Sequence, residues 1–199
     1  MIRRAIGRLF LWTFGWKVDG DPPPIPKFVM IAAPHTSNWD FPFMIAVSYA
    51  MNVRLRWLGK ASLFRFPQGL LFRALGGISV DRSKRNNLVQ QVAEAFAAHE
   101  RLIVTVSAEG TRSGGDDYWK SGFYRIALAA GVPVALGYLD FTRKRGGVGP
   151  LLYPTGDVKA DMEQVRGFYT PSMAKFPERF RTPRLRDEEV VTAADDAGR

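Results

Sequence analysis

Residues 102–139 read LIVTVSAEGTRSGGDDYWKSGFYRIALAAGVPVALGYL, and this stretch decides the fold class. Its apolar start, Leu102–Val106, predicts a strand. A helix is predicted over Ser121–Ala130, and it ends at Gly131 because glycine is the preferred residue just after a helix. A second apolar strand is predicted over Val132–Leu139. A strand, a helix and a further strand in this order predict parallel strands in an α/β domain.

The first half of the chain shows the same alternation. Strands are predicted at Phe28–Ala33, Val53–Leu58 and Gly77–Val80, and helices at Phe41–Met51, Leu63–Leu75 and Asn86–His99. Pro34 ends the first strand, and Pro42 is tolerated in the following helix because it falls in the first turn. We therefore predict a single α/β domain with a mainly parallel sheet flanked by helices.

Length and composition agree with one such domain and exclude several classes of protein. The chain has 199 residues, of which 46% are hydrophobic, so it can build a core and is not wholly disordered. It has no Cys, which excludes a disulfide-stapled scaffold and any metal site with Cys ligands. We expect the domain to span residues 27–186, with a Pro-rich connector at 19–26 and an acidic tail at 187–199.

Residues 1–18 predict an amphipathic helix in front of the connector. Its cations are Arg3, Arg4, Arg8 and Lys17, and its mainly apolar stripe consists of Ile2, Ile6, Leu9, Phe10, Thr13 and Trp16. A basic helix with an aromatic and apolar face is typical of a helix that lies in the membrane interface. The alternative is a helix that only packs against the domain.

The sequence predicts neither a membrane span nor a cleaved signal peptide. The longest strongly apolar stretch, Ile126–Leu139, has 14 residues, whereas a span needs about 20. The apolar part of the first segment is followed by Lys17 and a run of prolines, not by a cleavage site of small residues.

The net charge of +9 is unevenly distributed along the chain. Residues 54–85 carry eight basic residues and only one acid. Such a concentration favours an anionic partner, such as lipid headgroups, a phosphorylated substrate or nucleic acid. The alternative is a basic surface that is merely solvated.

His35 and Asp40 are the candidate catalytic pair, in the pattern H-x-x-x-x-D. On a continuous helix a step of five residues is about 500°, which would point the two side chains about 140° apart. They can meet if His35 lies in a loop and Asp40 begins the helix, as Pro42 favours. An imidazole oriented by a carboxylate can act as a general base. The alternative is a loop histidine beside an aspartate that caps the helix.

The candidate binding residues also follow predicted strands. They are Lys60, Arg82, Glu109, Gly110, Thr111 and Arg112. Arg112 has the planar fork that binds phosphate through two hydrogen bonds. Ligands of open α/β sheets bind beyond the carboxyl ends of the strands, so these residues and His35 are expected at one edge. The alternatives are a polar loop shaped by a Glu109–Arg112 pair and a solvated basic face.

Taken in order, these motifs resemble the glycerolipid acyltransferase family, whose best-known members are the 1-acyl-glycerol-3-phosphate acyltransferases. The likeness runs from about Met30 to Leu139. It comprises His35…Asp40, Lys60…Gly76…Arg82, Glu109–Arg112, Lys120-Ser121-Gly122 and Val132-Pro133. The family usually has Asn before its histidine, where this chain has Pro34.

The resemblance implies the family's α/β acyltransferase domain and a role for each motif. His35, oriented by Asp40, would deprotonate the free hydroxyl of a lysophospholipid, for which 1-acyl-glycerol-3-phosphate is the expected example. The hydroxyl would attack the thioester of acyl-CoA or of acyl carrier protein directly, without a covalent acyl-enzyme. Arg82 and Arg112 would bind the acceptor's phosphate. The remaining substrate contacts would come from Lys60, Glu109, Gly110 and Thr111, and Val132 and Pro133 would lie near the acyl donor.

The resemblance also implies that the reaction needs no metal or other cofactor. The expected partner besides the two substrates is an anionic membrane, bound peripherally on its cytoplasmic face, and no nucleic acid. Three alternatives stay open: an acyltransferase acting on a lyso-amino lipid, a thioester hydrolase, and a non-catalytic module that binds anionic lipid. A binding module has no use for a base paired with a carboxylate, which disfavours the last.

Overall fold

Seven strands form one sheet in the computed structural model, which describes residues 2–80, 85–111 and 117–189. They are β1 (Lys17–Asp19), β2 (Lys27–Ala33), β3 (Arg56–Lys60), β4 (Gly77–Val80), β5 (Leu102–Val106), β6 (Val134–Asp140) and β7 (Arg145–Leu152). Their order is β1-β7-β6-β2-β5-β3-β4, and every pair of neighbours is parallel except β6 and β7. The predicted mainly parallel sheet is confirmed.

Helices cover both faces of this sheet. They are α1 (Ile2–Thr13), α2 (Asp40–Ala50), α3 (Gln68–Ala74), α4 (Arg85–Ala98), α5 (Gly122–Ala130) and α6 (Val158–Phe168). Side chains alternate between the faces along a strand. In β2, Val29 and Ile31 enter the core beneath α4, α5 and α6, whereas Phe28 and Met30 pack on the other side with Met44 of α2. The fold is therefore a sheet between two helical layers.

The backbone of α1 lies directly on that of α2. Gly7 and Leu11 form the buried face of α1. A Cβ atom added to Gly7 would stand only 2.5 Å from the carbonyl oxygen of Ala46 and 2.8 Å from the amide nitrogen of Ala50. The close approach of the two helices therefore depends on a glycine at this position.

The first helix is shorter than the sequence predicts, because a glycine turn ends it at Thr13. Gly15 has a φ of +71°, the Trp16 N–H donates to the Leu11 carbonyl, and the Gly15 N–H donates to the Trp12 carbonyl. These two bonds are the Schellman motif, which satisfies the carbonyls at the end of a helix. The chain then enters β1, so residues 14–18 do not continue the predicted helix.

Four further elements differ from the sequence prediction or were not predicted. The strand predicted over Val53–Leu58 corresponds to β3, which spans Arg56–Lys60 instead. The helix predicted over Leu63–Leu75 is divided at Pro67 into a 3-10 turn, Ala61–Phe64, and α3. The strand β7 and the helix α6 follow the last element that the sequence predicted.

The start of the predicted acidic tail packs on the domain. Asp187 forms an ion pair with Arg125, and Glu188 is buried and forms one with Arg166. Residues 190–199, which form the rest of the predicted tail, lie outside the described residues.

Candidate active site

His35 and Asp40 meet at the carboxyl end of β2. The Nδ1 atom of His35 lies 3.0 Å from Oδ2 of Asp40. His35 stands in the loop after β2, and Asp40 is the first residue of α2. This is the loop-and-helix arrangement that the five-residue spacing requires if the two side chains are to pair.

The loop between the two residues holds the carboxylate in place. The Ser37 backbone N–H donates to Oδ2 of Asp40 over 2.8 Å, and the Trp39 backbone N–H donates to the Ser37 hydroxyl over 3.1 Å. Asp40 is buried and belongs to the first turn of a helix, where a negative charge is favoured by the unsatisfied backbone N–H groups. Its position is therefore fixed by the backbone before any substrate binds.

Glu109 contacts the backbone of His35. Its Oε1 atom accepts the His35 N–H over 2.7 Å, and its side chain is buried. Burial raises the pKa of Glu109 to about 7, although the hydrogen bond from His35 opposes that shift. Glu109, which the sequence predicts to bind substrate, lies against the start of the loop between His35 and Asp40 and is not among the residues that line the adjacent cavity.

A cavity of about 1150 Å³ opens beside His35 and Asp40. It continues between α2 and the sheet into an apolar arm. The arm is lined by Met30, Met44, Val47, Met51, Val53, Leu55, Leu139 and Val148. Typical ligand pockets measure about 300–1,000 Å³, so this cavity can hold a long apolar group together with the polar part of a ligand.

Several predicted binding residues line this cavity on the side of His35, which we call its mouth. Lys60, at the end of β3, lines it together with Gly110 and Thr111 from the loop after β5. The φ of Gly110 is +74°, and a Cβ atom added there would lie 3.2 Å from Cγ of Lys120. The structure thus brings these three residues to the same edge of the sheet as His35. The predicted phosphate ligands Arg82 and Arg112 lie outside the described residues.

Two residues near the C-terminus line the cavity without having been predicted. The Phe176 backbone N–H donates to the Thr36 hydroxyl over 3.3 Å, and Nη1 of Arg179 reaches the Thr36 carbonyl at 3.5 Å. The Arg179 guanidinium also lies 4.5 Å from the centre of the Phe176 ring. This places a further cation next to the loop between His35 and Asp40. The only sequence signal for a role of Arg179 is the general excess of basic residues in that part of the chain.

Val132 and Pro133 are not brought to the cavity. They precede β6, and the Pro133 carbonyl accepts the Val29 N–H at the amino-terminal end of β2. His35 follows the opposite, carboxyl-terminal end of β2. Since β2 and β6 are parallel, these two residues lie at the edge of the sheet away from His35 and Asp40.

The amphipathic helix α1 has apolar residues on two faces. Gly7 and Leu11 are buried against α2, and Trp16, just after the helix, stacks on Phe43 at 4.2 Å between ring centres. The residues of the other face are large and exposed to solvent: Ile2, Ile6, Leu9 and Trp12. Of the stripe that the sequence predicts, Trp16 therefore belongs to the core. Among the described residues, none of the helices has both the length and the apolar character that crossing a bilayer requires.

Comparisons with other proteins identify a family for the sequence and a relative for the fold. A family model described as Acyltransferase matches residues 22–135, a range that contains His35, Asp40 and Glu109. The crystal structure of the 1-acyl-sn-glycerophosphate (LPA) acyltransferase PlsC from Thermotoga maritima has the same fold, with a TM-score of 0.56. The two chains are 20% identical, and the match covers 82% of this chain and 73% of that one. No curated protein matches the sequence.

Proposed function

The family model matches more than half of the chain, which therefore belongs to the acyltransferase family, and we propose that the protein acylates the free hydroxyl of a lysophospholipid. The donor is a fatty acyl thioester, carried by coenzyme A or by acyl carrier protein. The expected acceptor is 1-acyl-glycerol-3-phosphate. The observation that carries this proposal is the pairing of His35 with Asp40 beside a cavity that has a long apolar arm.

The proposed reaction uses His35 as general base. With Nδ1–H donated to Asp40, Nε2 is the ring nitrogen that takes the proton of the acceptor hydroxyl. The hydroxyl oxygen then attacks the thioester carbonyl carbon. When the tetrahedral intermediate collapses, the carbon–sulfur bond breaks, and the proton on His35 passes to the leaving thiolate. The products are an ester and a free thiol, and Asp40 stabilises the imidazolium that forms between the two proton transfers.

The apolar arm of the cavity supports a fatty acyl chain as the transferred group. Its lining consists of aliphatic side chains and methionines, which adapt readily to a flexible chain. The arm begins beside the catalytic pair and runs along α2. An acyl chain inside it would place its thioester at the mouth, within reach of His35.

The cations around the mouth support an acceptor with a phosphate. Lys60 and Arg179 line the cavity. By resemblance to the family, Arg82 and Arg112 are the proposed phosphate ligands. The solved relative is itself described as an acyltransferase for lysophosphatidic acid, which has the same combination of an apolar chain and a phosphate.

The exposed face of α1 supports peripheral attachment to an anionic bilayer. Ile2, Ile6, Leu9 and Trp12 project into solvent, and Arg3, Arg4 and Arg8 are exposed on the same helix. A basic helix of this kind lies in the interface with its apolar face among the acyl chains. We propose that α1 keeps the domain at the membrane that supplies the lysolipid.

A panel of acceptors tests the proposal. The protein is incubated with labelled acyl-CoA or acyl-loaded carrier protein together with lysophosphatidate, other lysophospholipids or a lyso-amino lipid, and both the acylated lipid and the free fatty acid are measured. We expect acylated lysophosphatidate as the main product. Release of fatty acid without transfer would instead establish a thioester hydrolase, and an absence of turnover with every acceptor would favour a binding module.

A further inference from the structure

The short helix α3 and its flanks present apolar side chains to solvent. Leu70 and Leu71 are 64% and 60% exposed, and Phe66, just before the helix, is 84% exposed. Leu63 and Ile78 are also exposed. We name these five residues the α3 surface. Soluble domains place polar residues on the outer face of a helix, and a large exposed apolar patch marks a site of contact with a protein or a membrane.

These side chains are exposed because the other face of α3 is firmly packed. The ring of Phe72 contacts those of Phe41, Trp57 and Phe64, with 5.7–6.3 Å between ring centres. Gly69 lies so close to the Phe64 carbonyl that a Cβ atom there would collide with it. The helix therefore cannot turn to bury its leucines, and their exposure belongs to the folded domain.

All the charged residues in the sequence around the α3 surface are basic. Residues 54–80 contain Arg54, Arg56, Lys60, Arg65 and Arg73, all exposed, and neither Asp nor Glu. Exposed apolar side chains among cations match the two layers of an anionic membrane surface, with negatively charged headgroups outside and acyl chains beneath.

The α3 surface also lies next to the mouth of the cavity. Leu63 lines the cavity together with Lys60. On α2, Phe41 contacts Phe72 of α3, whereas Phe43 contacts Phe10 of α1. Because α2 therefore lies between α1 and α3, both helices belong to the helical layer that contains α2.

A further exposed aromatic residue, Trp39, lies near both α1 and the cavity. Trp39 lines the cavity, is 44% exposed and lies 5.7 Å from the ring of Phe14, which follows α1. Apolar side chains thus border the mouth from the α1 side to the α3 side.

We propose that the α3 surface is a second membrane-contact surface, which rests on an anionic bilayer together with α1 and holds the cavity mouth against the lipid. The inference rests on the proposed function, because a mouth held in this way serves an acceptor that enters from the bilayer. An acidic carrier protein would be attracted by the same cations. The bilayer is the better match because Phe66, Leu70 and Leu71 are large apolar side chains that are mostly exposed, and acyl chains can bury them.

The absence of cysteine from the chain permits a site-specific test. Leu70→Cys is labelled with a fluorophore that responds to polarity, and its emission is recorded with vesicles of phosphatidylcholine and phosphatidylglycerol. Leu128→Cys is the control, because Leu128 is 43% exposed on α5, on the opposite side of the sheet. We expect a blue shift at position 70 and none at 128. An unshifted spectrum at position 70 while the vesicles bind the protein would overturn the proposal.

A triple variant tests the contribution to binding. Phe66→Ser, Leu70→Gln and Leu71→Gln together are expected to lower the apparent affinity for the same vesicles at least tenfold in sedimentation, with thermal unfolding near that of the wild type. The control combines Leu128→Gln and Tyr153→Gln, which also remove two exposed apolar residues. A triple variant that binds vesicles like the control contradicts the proposal.

Activity assays separate this inference from the proposed function and from a carrier-protein partner. With the triple variant, we expect acylation of vesicle-borne lysolipid to fall and acylation of a dispersed short-chain lysolipid to be unchanged. Unchanged vesicle binding combined with a raised KM for acyl carrier protein would overturn the bilayer in favour of the carrier. Vesicle binding is measured without substrate, so a wild type that fails to acylate lysophosphatidate would contradict the proposed function and leave the binding result standing.

Discussion

The carboxylate of Glu109 accepts the backbone N–H of His35 over 2.7 Å. Glu109 follows β5 and His35 follows β2, so this bond joins the ends of two neighbouring parallel strands. Asp40 holds the ring of the same histidine at Nδ1. Two carboxylates therefore position the proposed base, one through its backbone and one through its side chain.

Glu109 should make the stability of the domain depend on pH. Its pKa is about 7 in the folded protein, above the value of about 4.3 for an unperturbed glutamate. The folded state therefore holds a proton that the unfolded state has lost, and stability falls as the pH rises through this window. Glu109→Gln cannot ionise, and its amide oxygen can still accept the His35 N–H. We expect its stability relative to the wild type to grow between pH 5 and pH 7, by about 2 kcal/mol.

Denaturant unfolding of both proteins between pH 5 and pH 8 measures this difference. The prediction concerns the difference between the two proteins, because other groups shift both curves equally. Curves that stay parallel across this range would show that Glu109 does not carry a raised pKa.

Substitutions at Glu109 should also show whether this residue positions His35 or binds the substrate. Glu109→Ala removes the acceptor for the His35 N–H and should lower kcat while leaving the KM of the acceptor close to that of the wild type. Glu109→Gln should restore most of kcat. A substitution that raises KM and leaves kcat unchanged would instead support the substrate contact that the sequence analysis assigned to Glu109.

Arg112→Lys should weaken the binding of a phosphorylated acceptor. Lysine keeps the positive charge but loses the planar fork that makes two hydrogen bonds to a phosphate. We expect a higher KM for lysophosphatidate and a smaller change for a short-chain acceptor without phosphate. The same KM for lysophosphatidate in variant and wild type would point to a phosphate-free substrate or to a structural role for Arg112.

The two faces of α1 should respond differently to substitution. Leu9→Gln with Trp12→Gln changes only the exposed face, so we expect weaker binding to anionic vesicles and unaltered thermal unfolding. Gly7→Leu changes the face against α2, where the Ala46 carbonyl leaves no room for a side chain, so we expect a lower unfolding temperature. High salt should weaken vesicle binding of the wild type without abolishing it. Loss of stability in the Leu9 and Trp12 variant would show that this face is structural as well.

Local sequence pattern predicted the strands β2 to β6 well but not β7, the strand that runs antiparallel to β6. Runs such as Leu102–Val106 are apolar and bounded by turns, so their strands were evident. The strand β7 has the sequence RGGVGPLL, whose three glycines and one proline are unusual for a strand. It is stabilised by pairing with β6 and not by its own propensity.

The candidate site shows the same division between local and distant signals. His35 and Asp40 are only five residues apart, so their spacing and Pro42 showed that a loop histidine could pair with an aspartate at the start of α2, but the local pattern left the alternative of a capping aspartate open. The contact of Arg179 with the Thr36 carbonyl joins residues 143 positions apart, and no periodicity indicates it. The two faces of α1 are both apolar, so pattern alone did not show that Trp16 is buried.

The most direct test of the account is the rate of acyl transfer to lysophosphatidate by the wild type and by His35→Ala, with Asp40→Asn as the companion variant. A positioned base contributes roughly 10²–10⁴-fold to the rate, so we expect His35→Ala to lose at least a hundredfold in kcat while its thermal unfolding stays close to that of the wild type. Asp40→Asn should also be strongly impaired, because the ring loses the carboxylate that orients it. Acyl transfer by folded His35→Ala at a rate near that of the wild type would contradict the account.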